Sequence, residues 1–415
     1  MIVIPRFARI LVVLAALAAS AGPALAAGPK AYVGNFKDST VSVIDTASER
    51  VVATLPVAAG PDGIVLTPDG RSVFVSGSSA SAVSEIDATS DRVTRAIDVG
   101  KGPQGLAMTA DGKWLLVAVN GDDRVAFVDT SAHGVSATVP VPKPHTIAIR
   151  PDGRQAYVAS QEPGHFAVVV IDMATRAVVT QIPLDKPPRD LEFDPDGKAL
   201  YLTLAGVPAV QVLDATTNQW GAPVPTGVSP HIAQHFAGMA SGVVVVPGPG
   251  EVMLFDPAAR TSVRSIGVGK QPHWLDLSAD GRKLWVSNEG SNDVSVVDLA
   301  GGAMHTVAVG NAPRKIAVQR VAATTGAEHV GGSSHVTIRN FAFEPAQITV
   351  KAGQRVNWQN DDGAPHGLVF KDGGAGIDLL LPGKSFARTF DKPGTYDYVC
   401  SVHPYMTARV TVIAP

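Results

Sequence analysis

Short runs of β-branched and aromatic residues alternate with polar turns along most of the chain. The first four runs are Ala31 to Gly34, Val41 to Ile44, Val51 to Leu55 and Ile64 to Thr67. Short apolar runs that are bounded by turn residues are typical of β-strands, because helices need longer periodic segments. The pattern therefore predicts an all-β protein that is built from many short strands.

Two polar signatures show that these strands form a repeat with a period of about 42 residues. A turn recurs as Pro68-Asp69-Gly70, Ala110-Asp111-Gly112, Pro151-Asp152-Gly153, Pro195-Asp196-Gly197 and Ala279-Asp280-Gly281. A strand that ends in aspartate recurs seven times, at Asp45, Asp87, Asp129, Asp172, Asp214, Asp256 and Asp298. Asp-Gly pairs favour hairpin turns because these turns need positive φ angles. Four strands per period are typical of a β-propeller blade, so we predict a seven-bladed β-propeller over residues 27–319.

The ends of this repeat predict how the ring closes. Ile316 to Val318 is expected to complete the blade that Ala31 to Gly34 opens, and an open solenoid is the alternative. Three strands, Ala31-Tyr32-Val33-Gly34-Asn35, Ala156-Tyr157-Val158-Ala159 and Leu284-Trp285-Val286-Ser287-Asn288, resemble the strand motif of YVTN-type bacterial propellers. The resemblance covers about seven tenths of the chain, and it implies the fold without implying one function.

The N-terminus has the pattern of a secretory signal peptide, which we assign to residues 1–26. Arg6 and Arg9 precede an apolar run from Ile10 to Ala19, and Ala24-Leu25-Ala26 is a small-residue cleavage site. An uncleaved anchor is the alternative, although the run is short for a membrane span of about 20 residues. No later stretch is apolar enough to span a membrane, so we expect a mature protein exported to the periplasm.

The overall charge excludes one class of partner. The formal net charge is −3 and the sequence pI is about 6.4. Because proteins that bind nucleic acids carry a basic surface, the composition argues against a nucleic-acid partner.

Beyond a linker at residues 320–334, the repeat ends and a second, smaller β-sandwich is predicted for residues 335–415. Its predicted strands are Val336 to Arg339, Ile348 to Val350, Arg355 to Trp358, Gly367 to Phe370, Ser385 to Phe390, Tyr396 to Cys400 and Ala408 to Ile413. The predicted fold class is therefore all-β, a seven-bladed β-propeller followed by a small sandwich.

Four residues of this second domain have the side chains of a type 1 copper site. Cys400, His403 and Met406 share one seven-residue segment, Cys400-Ser401-Val402-His403-Pro404-Tyr405-Met406, and His366 lies upstream. Two imidazoles, one thiolate and a thioether form the ligand set of blue-copper electron-transfer sites. We therefore predict one type 1 copper per chain, and a buried cysteine beside two surface histidines is the alternative. Since Cys400 is the only cysteine, a dinuclear copper site with two cysteines is excluded.

The sequence around these residues resembles the amicyanin and pseudoazurin-like cupredoxins. The matching segments are Phe343-Glu344-Pro345, Val350-Lys351-Ala352-Gly353, Val356-Asn357-Trp358, Pro365-His366, Gly394-Thr395-Tyr396-Asp397-Tyr398 and Cys400 to Met406. The resemblance implies a cupredoxin sandwich, copper as the cofactor and one-electron transfer to a partner protein. One departure is Gly367, because cupredoxins usually carry Asn, Ser or Thr there, and this side chain bonds across to the copper loop.

The propeller contributes a second group of candidate residues. Each repeat also has a proline in the loop that leads from its outermost strand to the next innermost strand, and this is not the proline of the Asp-Gly turn. The residue that follows this proline is expected to lie at the channel mouth. These residues are Asp62, Gln104, His145, Arg189, His231, His273 and Arg314. Such a ring could bind a small anion or a metal held by several imidazoles, and solvated loop residues are the alternative. If the imidazoles have their ordinary pKa of about 6.5, an anion should bind less tightly above that pH. His235 occupies a core position, where we expect a hydrogen-bonded histidine.

These features predict an exported type 1 copper protein that carries out one-electron transfer with a periplasmic redox partner protein. The propeller is then a docking or ligand-binding scaffold. Two alternatives stay open. The first is a copper-dependent oxidoreductase with its catalytic site in the propeller funnel, because the domain order is similar to that of nitrous oxide reductase. The second is a copper carrier without redox function. The paired histidine motifs of that reductase are absent, and the sequence identifies no catalytic residue.

Overall fold

In the residues that the structure describes, short β-strands predominate and form nine sheets. The structure is a computed structural model, and it describes residues 29–320, 335–339, 342–403 and 406–414. The predicted signal peptide, all of the predicted linker except Arg320, and Pro404 and Tyr405 of the copper motif lie outside these ranges. Within the described ranges, no helix combines the length and the hydropathy that crossing a bilayer requires.

Seven of the sheets are propeller blades, and their strands follow one another along the chain. They are β1 (Lys30–Asn35), β2 (Thr40–Asp45), β3 (Arg50–Pro56); β4 (Pro61–Leu66), β5 (Ser72–Gly77), β6 (Ala82–Asp87), β7 (Arg92–Asp98); β8 (Pro103–Met108), β9 (Trp114–Val119), β10 (Arg124–Asp129), β11 (Gly134–Pro140); β12 (Pro144–Ile149), β13 (Gln155–Ser160), β14 (Ala167–Asp172), β15 (Ala177–Pro183); β16 (Pro188–Phe193), β17 (Ala199–Leu204), β18 (Ala209–Asp214), β19 (Gln219–Trp220), β20 (Val224–Pro225); β21 (Ala233–Gln234), β22 (Gly242–Val246), β23 (Glu251–Asp256), β24 (Thr261–Gly267); β25 (Pro272–Leu277), β26 (Lys283–Asn288), β27 (Asp293–Asp298), β28 (Met304–Ala308); and β29 (Pro313–Val318). A 3₁₀ turn, Asn120–Asp122, follows β9.

The ring closes as the sequence predicts. The last strand of the propeller, β29, pairs antiparallel with β1, and Ala31 lies opposite Val318. The first blade therefore has the strand order β29-β1-β2-β3 and joins the two ends of the propeller segment. The repeat unit read from the sequence is offset from the blade by one strand, because the fourth run, Ile64 to Thr67, belongs to β4 of the next blade.

The two repeated signatures have a direct local role. In all five Asp-Gly turns the glycine has a φ between 68° and 70°, which a residue with a Cβ adopts only at a cost. The strand-ending aspartate accepts backbone N–H groups of the following turn, as Asp172 does from Ala174 and Thr175. This hydrogen-bonding pattern recurs at every one of the seven aspartates. The signature thus specifies each hairpin between the third and fourth strands of a blade.

The remaining two sheets form the sandwich. Its strands are β30 (His335–Arg339), β31 (Ala342–Glu344), β32 (Gln347–Lys351), β33 (Gln354–Asn360), β34 (His366–Phe370), β35 (Ile377–Leu380), β36 (Ser385–Phe390), β37 (Gly394–Val399) and β38 (Thr407–Ile413). One sheet has the order β31-β30-β33-β36 and the other β32-β38-β37-β34-β35. The strands β31 and β35 were not predicted, because each is short and lies at the edge of its sheet.

The sandwich has its own hydrophobic core around Trp358, which is fully buried. The Trp358 indole donates a hydrogen bond of 2.9 Å to the Tyr398 hydroxyl, so that the polar edge of the ring is satisfied inside the core. Cys400 and Met406 belong to the same buried cluster. Two of the predicted copper ligands are therefore part of the core of this domain.

Candidate metal centre

The four predicted ligands lie at one end of the sandwich, at the ends of neighbouring strands. His366 is the first residue of β34, and Cys400 directly follows β37, which pairs with β34 at Val369 and Val399. Met406 directly precedes β38. The turn that contains His403 is closed by a hydrogen bond from the Met406 N–H to the His403 carbonyl. Strand pairing therefore brings His366 close to a loop that is more than thirty residues away in the sequence.

The side chains converge on one point. The Cys400 Sγ lies 3.7 Å from the Nδ1 atoms of both His366 and His403, and these two nitrogens are 3.2 Å apart. Among the residues that the structure describes, this is the only group of three potential metal ligands whose ligating atoms all lie within 4.8 Å of one another. Met406 is 3% exposed and packs in the same core.

The surroundings of Cys400 favour a thiolate. The backbone N–H groups of Gly367 and His403 both donate to the sulfur over 3.3 Å. Burial by itself raises the pKa of Cys400, but the hydrogen bonds from His366 and from these backbone groups outweigh it, so the pKa is lowered. A thiolate with two imidazoles and a buried thioether is the donor set that copper prefers in electron-transfer sites. The residues present therefore fit a type 1 copper ion.

A carboxylate fixes the orientation of His366. The Asp362 Oδ2 lies 2.8 Å from the His366 Nε2, and the two side chains are 8% and 0% exposed. This bond leaves Nδ1 to face Cys400. Burial lowers the pKa of His366, whereas the bonds to Asp362 and Cys400 raise it, and the net pKa is about 9.

Asn360 holds the loop that carries Asp362. Its side chain is buried and donates to the carbonyls of Ala364 and Leu380, while its Oδ1 accepts the Asp362 N–H. Neither Asp362 nor Asn360 was predicted from the sequence. The available signal was an acidic residue four positions before a predicted ligand.

The structure also explains why residue 367 is a glycine, whereas cupredoxins usually carry Asn, Ser or Thr at this position. A Cβ at this position would lie 1.9 Å from the Ser401 hydroxyl and 2.5 Å from the Asp378 carbonyl. Ser401 fills this space and donates a hydrogen bond of 2.6 Å to that carbonyl. Ser401, a residue of the copper loop itself, therefore tethers this loop to the neighbouring strand. In cupredoxins the tether is expected from the side chain at position 367, directly after the first histidine ligand.

Six of the predicted ring residues are the second residues of innermost strands, and His231 lies two positions before β21. Several of these residues contact one another in pairs. Arg314 Nη1 is 3.1 Å from Asp62 Oδ1, and His145 Nδ1 is 2.6 Å from Gln104 Oε1. The rings of His231 and His273 have centroids 4.0 Å apart. Arg189 donates to the Pro230 carbonyl.

His235 is half-buried rather than fully buried. As expected, it makes a hydrogen bond, which joins its Nε2 to the Met239 carbonyl over 2.9 Å.

Comparison with known proteins agrees with both parts of this architecture. The model of the copper-binding proteins of the plastocyanin/azurin family matches residues 330–413, and a YNCE-like beta-propeller model matches residues 5–111. A solved structure of hydrazine synthase from Kuenenia stuttgartiensis superposes with a TM-score of 0.60 at 20% identity, over 69% of this chain and 99% of that one. At this identity the likeness shows the fold alone.

Two sequence relatives match the copper domain. Amicyanin-alpha of Methylorubrum extorquens is 35% identical over 91 residues, which are 20% of this chain and 76% of that protein. Plastocyanin of Scenedesmus fuscus is 40% identical over 74 residues, which are 15% of this chain and 76% of that protein. With the motif, the buried thiolate site and the sandwich in agreement, the chain belongs to the plastocyanin/azurin family of copper-binding proteins.

Proposed function

We propose that the protein is an exported electron carrier that cycles one copper ion between Cu(I) and Cu(II). His366, Cys400, His403 and Met406 are its ligands. The convergence of the cysteine sulfur and two imidazole nitrogens within 4.8 Å is the observation that carries this proposal. Because the ligands belong to a packed core, they change position little between the two oxidation states, which favours fast electron transfer.

The surface near the site supports a partner protein. His403 is half-buried, whereas His366 is fully buried, so His403 is the route for the electron. Four apolar side chains connected to the two histidines are exposed. Val369 follows His366 in β34, Val402 precedes His403, and Leu379 and Leu381 flank Leu380, which lies opposite His366 on β35. Apolar side chains of this kind provide a docking surface that excludes water around an electron port. The propeller then serves as a scaffold for docking or for ligand binding.

The colour of the copper protein tests the ligand assignment. The copper-loaded protein is expected to show the intense visible absorption of a Cu(II)-thiolate bond, with about one copper per chain. Cys400→Ser should abolish the band. Met406→Leu should keep the band and shift the reduction potential, because the thioether is a weak axial ligand. Met304→Leu, at a site that is 40% exposed, is the matched control. A colourless copper-loaded wild type would contradict the type 1 assignment.

Reversible redox cycling separates an electron carrier from a copper carrier. The protein should be reduced and reoxidised repeatedly, as followed by the visible band, without release of copper to a chelator. Loss of copper in each reduction step would favour the carrier function.

Export is tested by the mature N-terminus. The pattern of residues 1–26 supports removal of a signal peptide, so the secreted protein should begin at Ala27. Mass spectrometry of the protein from the periplasmic fraction measures this directly. A mature protein that keeps residues 1–26 in the membrane fraction would show an anchor instead.

A further inference from the structure

We propose that the channel mouth of the propeller is a binding site for a small planar monovalent oxyanion, which Arg189, His231 and His273 hold together. The proposal does not depend on the copper site, and it assigns the ring a ligand class that the electron-carrier function does not require.

The two arginines of the ring differ in their partners. Arg314 pairs with Asp62 at 3.1 Å and with Glu289 at 3.3 Å, and its guanidinium lies on the Phe36 ring. Arg189, in contrast, donates to a backbone carbonyl, and no carboxylate of the described chain forms an ion pair with it. Its guanidinium therefore keeps a full positive charge and further donors for a ligand.

The neighbouring histidines add polar groups without adding charge. The Nδ1 atoms of His231 and His273 are buried and have no hydrogen-bond partner among the described residues. Burial, together with Arg189 and His145, lowers the pKa of His231 to about 3. Burial and His231 also lower the pKa of His273 well below its ordinary value. Two neutral imidazoles beside a free guanidinium offer donors to a ligand, and buried polar atoms without partners are rare unless a ligand or water satisfies them.

The same geometry disfavours a metal. His231 and His273 are close together, but His145, the third histidine of the ring, is held by Gln104 at 2.6 Å. The propeller supplies no group of three ligands as compact as the copper site within the described residues. Arg189 lowers the pKa of His231 and Lys315 lowers the pKa of His273, and the same positive charges repel a metal cation.

A buried carboxyl group near Arg189 does not change this conclusion. Asp190 is 2% exposed, and both of its oxygens are without a partner among the described residues. Burial and Glu192 raise the pKa of Asp190 well above its ordinary value, which favours the neutral acid. Since Arg189 is the one arginine of the ring without a carboxylate partner among the described residues, the mouth matches a single negative charge better than two. A guanidinium fork matches planar oxyanions, such as carboxylates and nitrate.

The pH dependence should differ from the expectation based on ordinary histidines. The charged and titratable groups around His231 are Arg189, Arg314, His145 and His273. Lys315 also acts on His273, and Asp62 acts on His145. Because His231 is already neutral well above pH 3, anion affinity should change little between about pH 6 and pH 8. The fall in affinity above about pH 6.5 that the sequence suggests is therefore not expected.

The test is calorimetric titration of the copper-loaded, full-length protein with nitrate and, separately, with formate. The expected result is one anion per chain, and the two arms distinguish an inorganic oxyanion from a carboxylate. Arg189→Gln should raise the Kd at least about tenfold, and Arg189→Lys should give an intermediate value, because charge remains but the fork is lost. Arg92→Gln, at an exposed arginine of β7, should leave the Kd unchanged.

Four results would overturn the proposal. Three concern anions: no binding of either anion, a Kd in Arg189→Gln that equals the wild-type Kd, or tighter binding of sulfate than of nitrate. The fourth is one equivalent of copper or zinc that binds in the propeller and is lost in His231→Ala. The folding control in every variant is thermal denaturation of the full-length protein followed by circular dichroism, because most of its strands belong to the propeller. The visible copper band reports the copper site separately. Loss of the band would concern the electron-carrier function, whereas loss of anion binding in a folded variant with an intact band concerns only the mouth.

Discussion

The Asp362–His366 pair is the residue-scale feature that most affects the copper chemistry. A carboxylate that accepts the Nε2–H of a metal-bound imidazole makes this ligand a stronger electron donor. Stronger donation stabilises Cu(II) relative to Cu(I). We therefore infer that Asp362, held by Asn360, keeps the reduction potential lower than the four ligands alone would set it.

Replacing Asp362 by asparagine tests this inference. The amide is nearly isosteric and can still accept the hydrogen bond, but the negative charge is gone. The reduction potential should rise, copper affinity should fall by roughly 10- to 100-fold, and the visible band should persist. Voltammetry and copper titration measure these changes. Asp361→Asn is the control, because this neighbouring carboxylate is exposed and pairs with Arg339. An unchanged potential in Asp362→Asn would show that the pair only orients the ring.

At the scale of elements, the repeated aspartate turns link hairpin formation to pH. Hydrogen bonds from the following residues lower the pKa of six of these carboxylates, which are Asp45, Asp87, Asp129, Asp172, Asp214 and Asp298. A lowered pKa in the folded state means stabilisation that is present above the unfolded-state pKa of about 3.9 and is lost as the pH falls below it. The propeller should therefore lose stability in acid through many small local contributions.

Asp172→Asn isolates one of these contributions. In the wild type the Thr175 N–H donates to the Asp172 Oδ1 over 2.8 Å. Asparagine keeps an oxygen that can accept this hydrogen bond, but it does not titrate. The melting temperature at neutral pH should fall slightly because a charge-assisted bond is lost, and the decrease between about pH 5 and pH 3 should become smaller. Thermal denaturation across this range is the measurement. Asp185→Asn, at an exposed position, should leave the acid profile as in the wild type.

At the scale of the whole molecule, propeller stability depends on the joint between its two ends. Gln319 is 1% exposed, accepts the Lys30 N–H at 2.8 Å and donates to the Gly70 carbonyl at 2.7 Å. Lys30 in turn binds Asp91 at 2.8 Å. These bonds connect Gln319, which directly follows β29, to the first and second blades.

Gln319→Ala should weaken this closure without changing the fold. Removing the side chain leaves a buried N–H and a buried carbonyl without partners, which should cost about 1–3 kcal/mol of unfolding free energy. Urea denaturation measures this change, and the m-value should stay constant. Gln181→Ala, at an exposed position of β15, should have little effect. Equal stability of the two variants would mean that the backbone pairing of β1 and β29 is sufficient.

The copper domain should also fold without the propeller. Its hydrophobic cluster runs from Val336 to Val412 and includes no propeller residue among the described ones. A fragment of residues 335–415 should therefore fold, bind about one copper and melt at a higher temperature with the metal, because copper binds the native state. Circular dichroism and the visible band test this. A fragment that stays unfolded with copper would show that the propeller completes its core.

The sequence alone was sufficient to predict the features that are encoded over short distances. The aspartate turns, the blade period, the strand that closes the ring and the Cys400 to Met406 loop each depend on residues that are close together or repeated regularly. A turn or a strand is specified by its own residues, so a local pattern predicts it. The edge strands β31 and β35 were missed because each is short and pairs on one side only, which leaves a weak local pattern.

The tertiary structure alone decided which side chains meet. Asp362 bonds His366, Ser401 takes the place of a tether at Gly367, and Arg189 remains unpaired while Arg314 is neutralised. The contacts of Ser401 and of the two arginines join residues from different strands or blades, and no periodicity or spacing specifies them. The Asp362–His366 pair spans only four residues, but the fold of the loop that Asn360 holds decides that the two side chains meet. Burial, charge pairing and hydrogen-bond satisfaction are properties of the packed chain, so the electrostatics of the copper site and of the channel mouth follow from the fold.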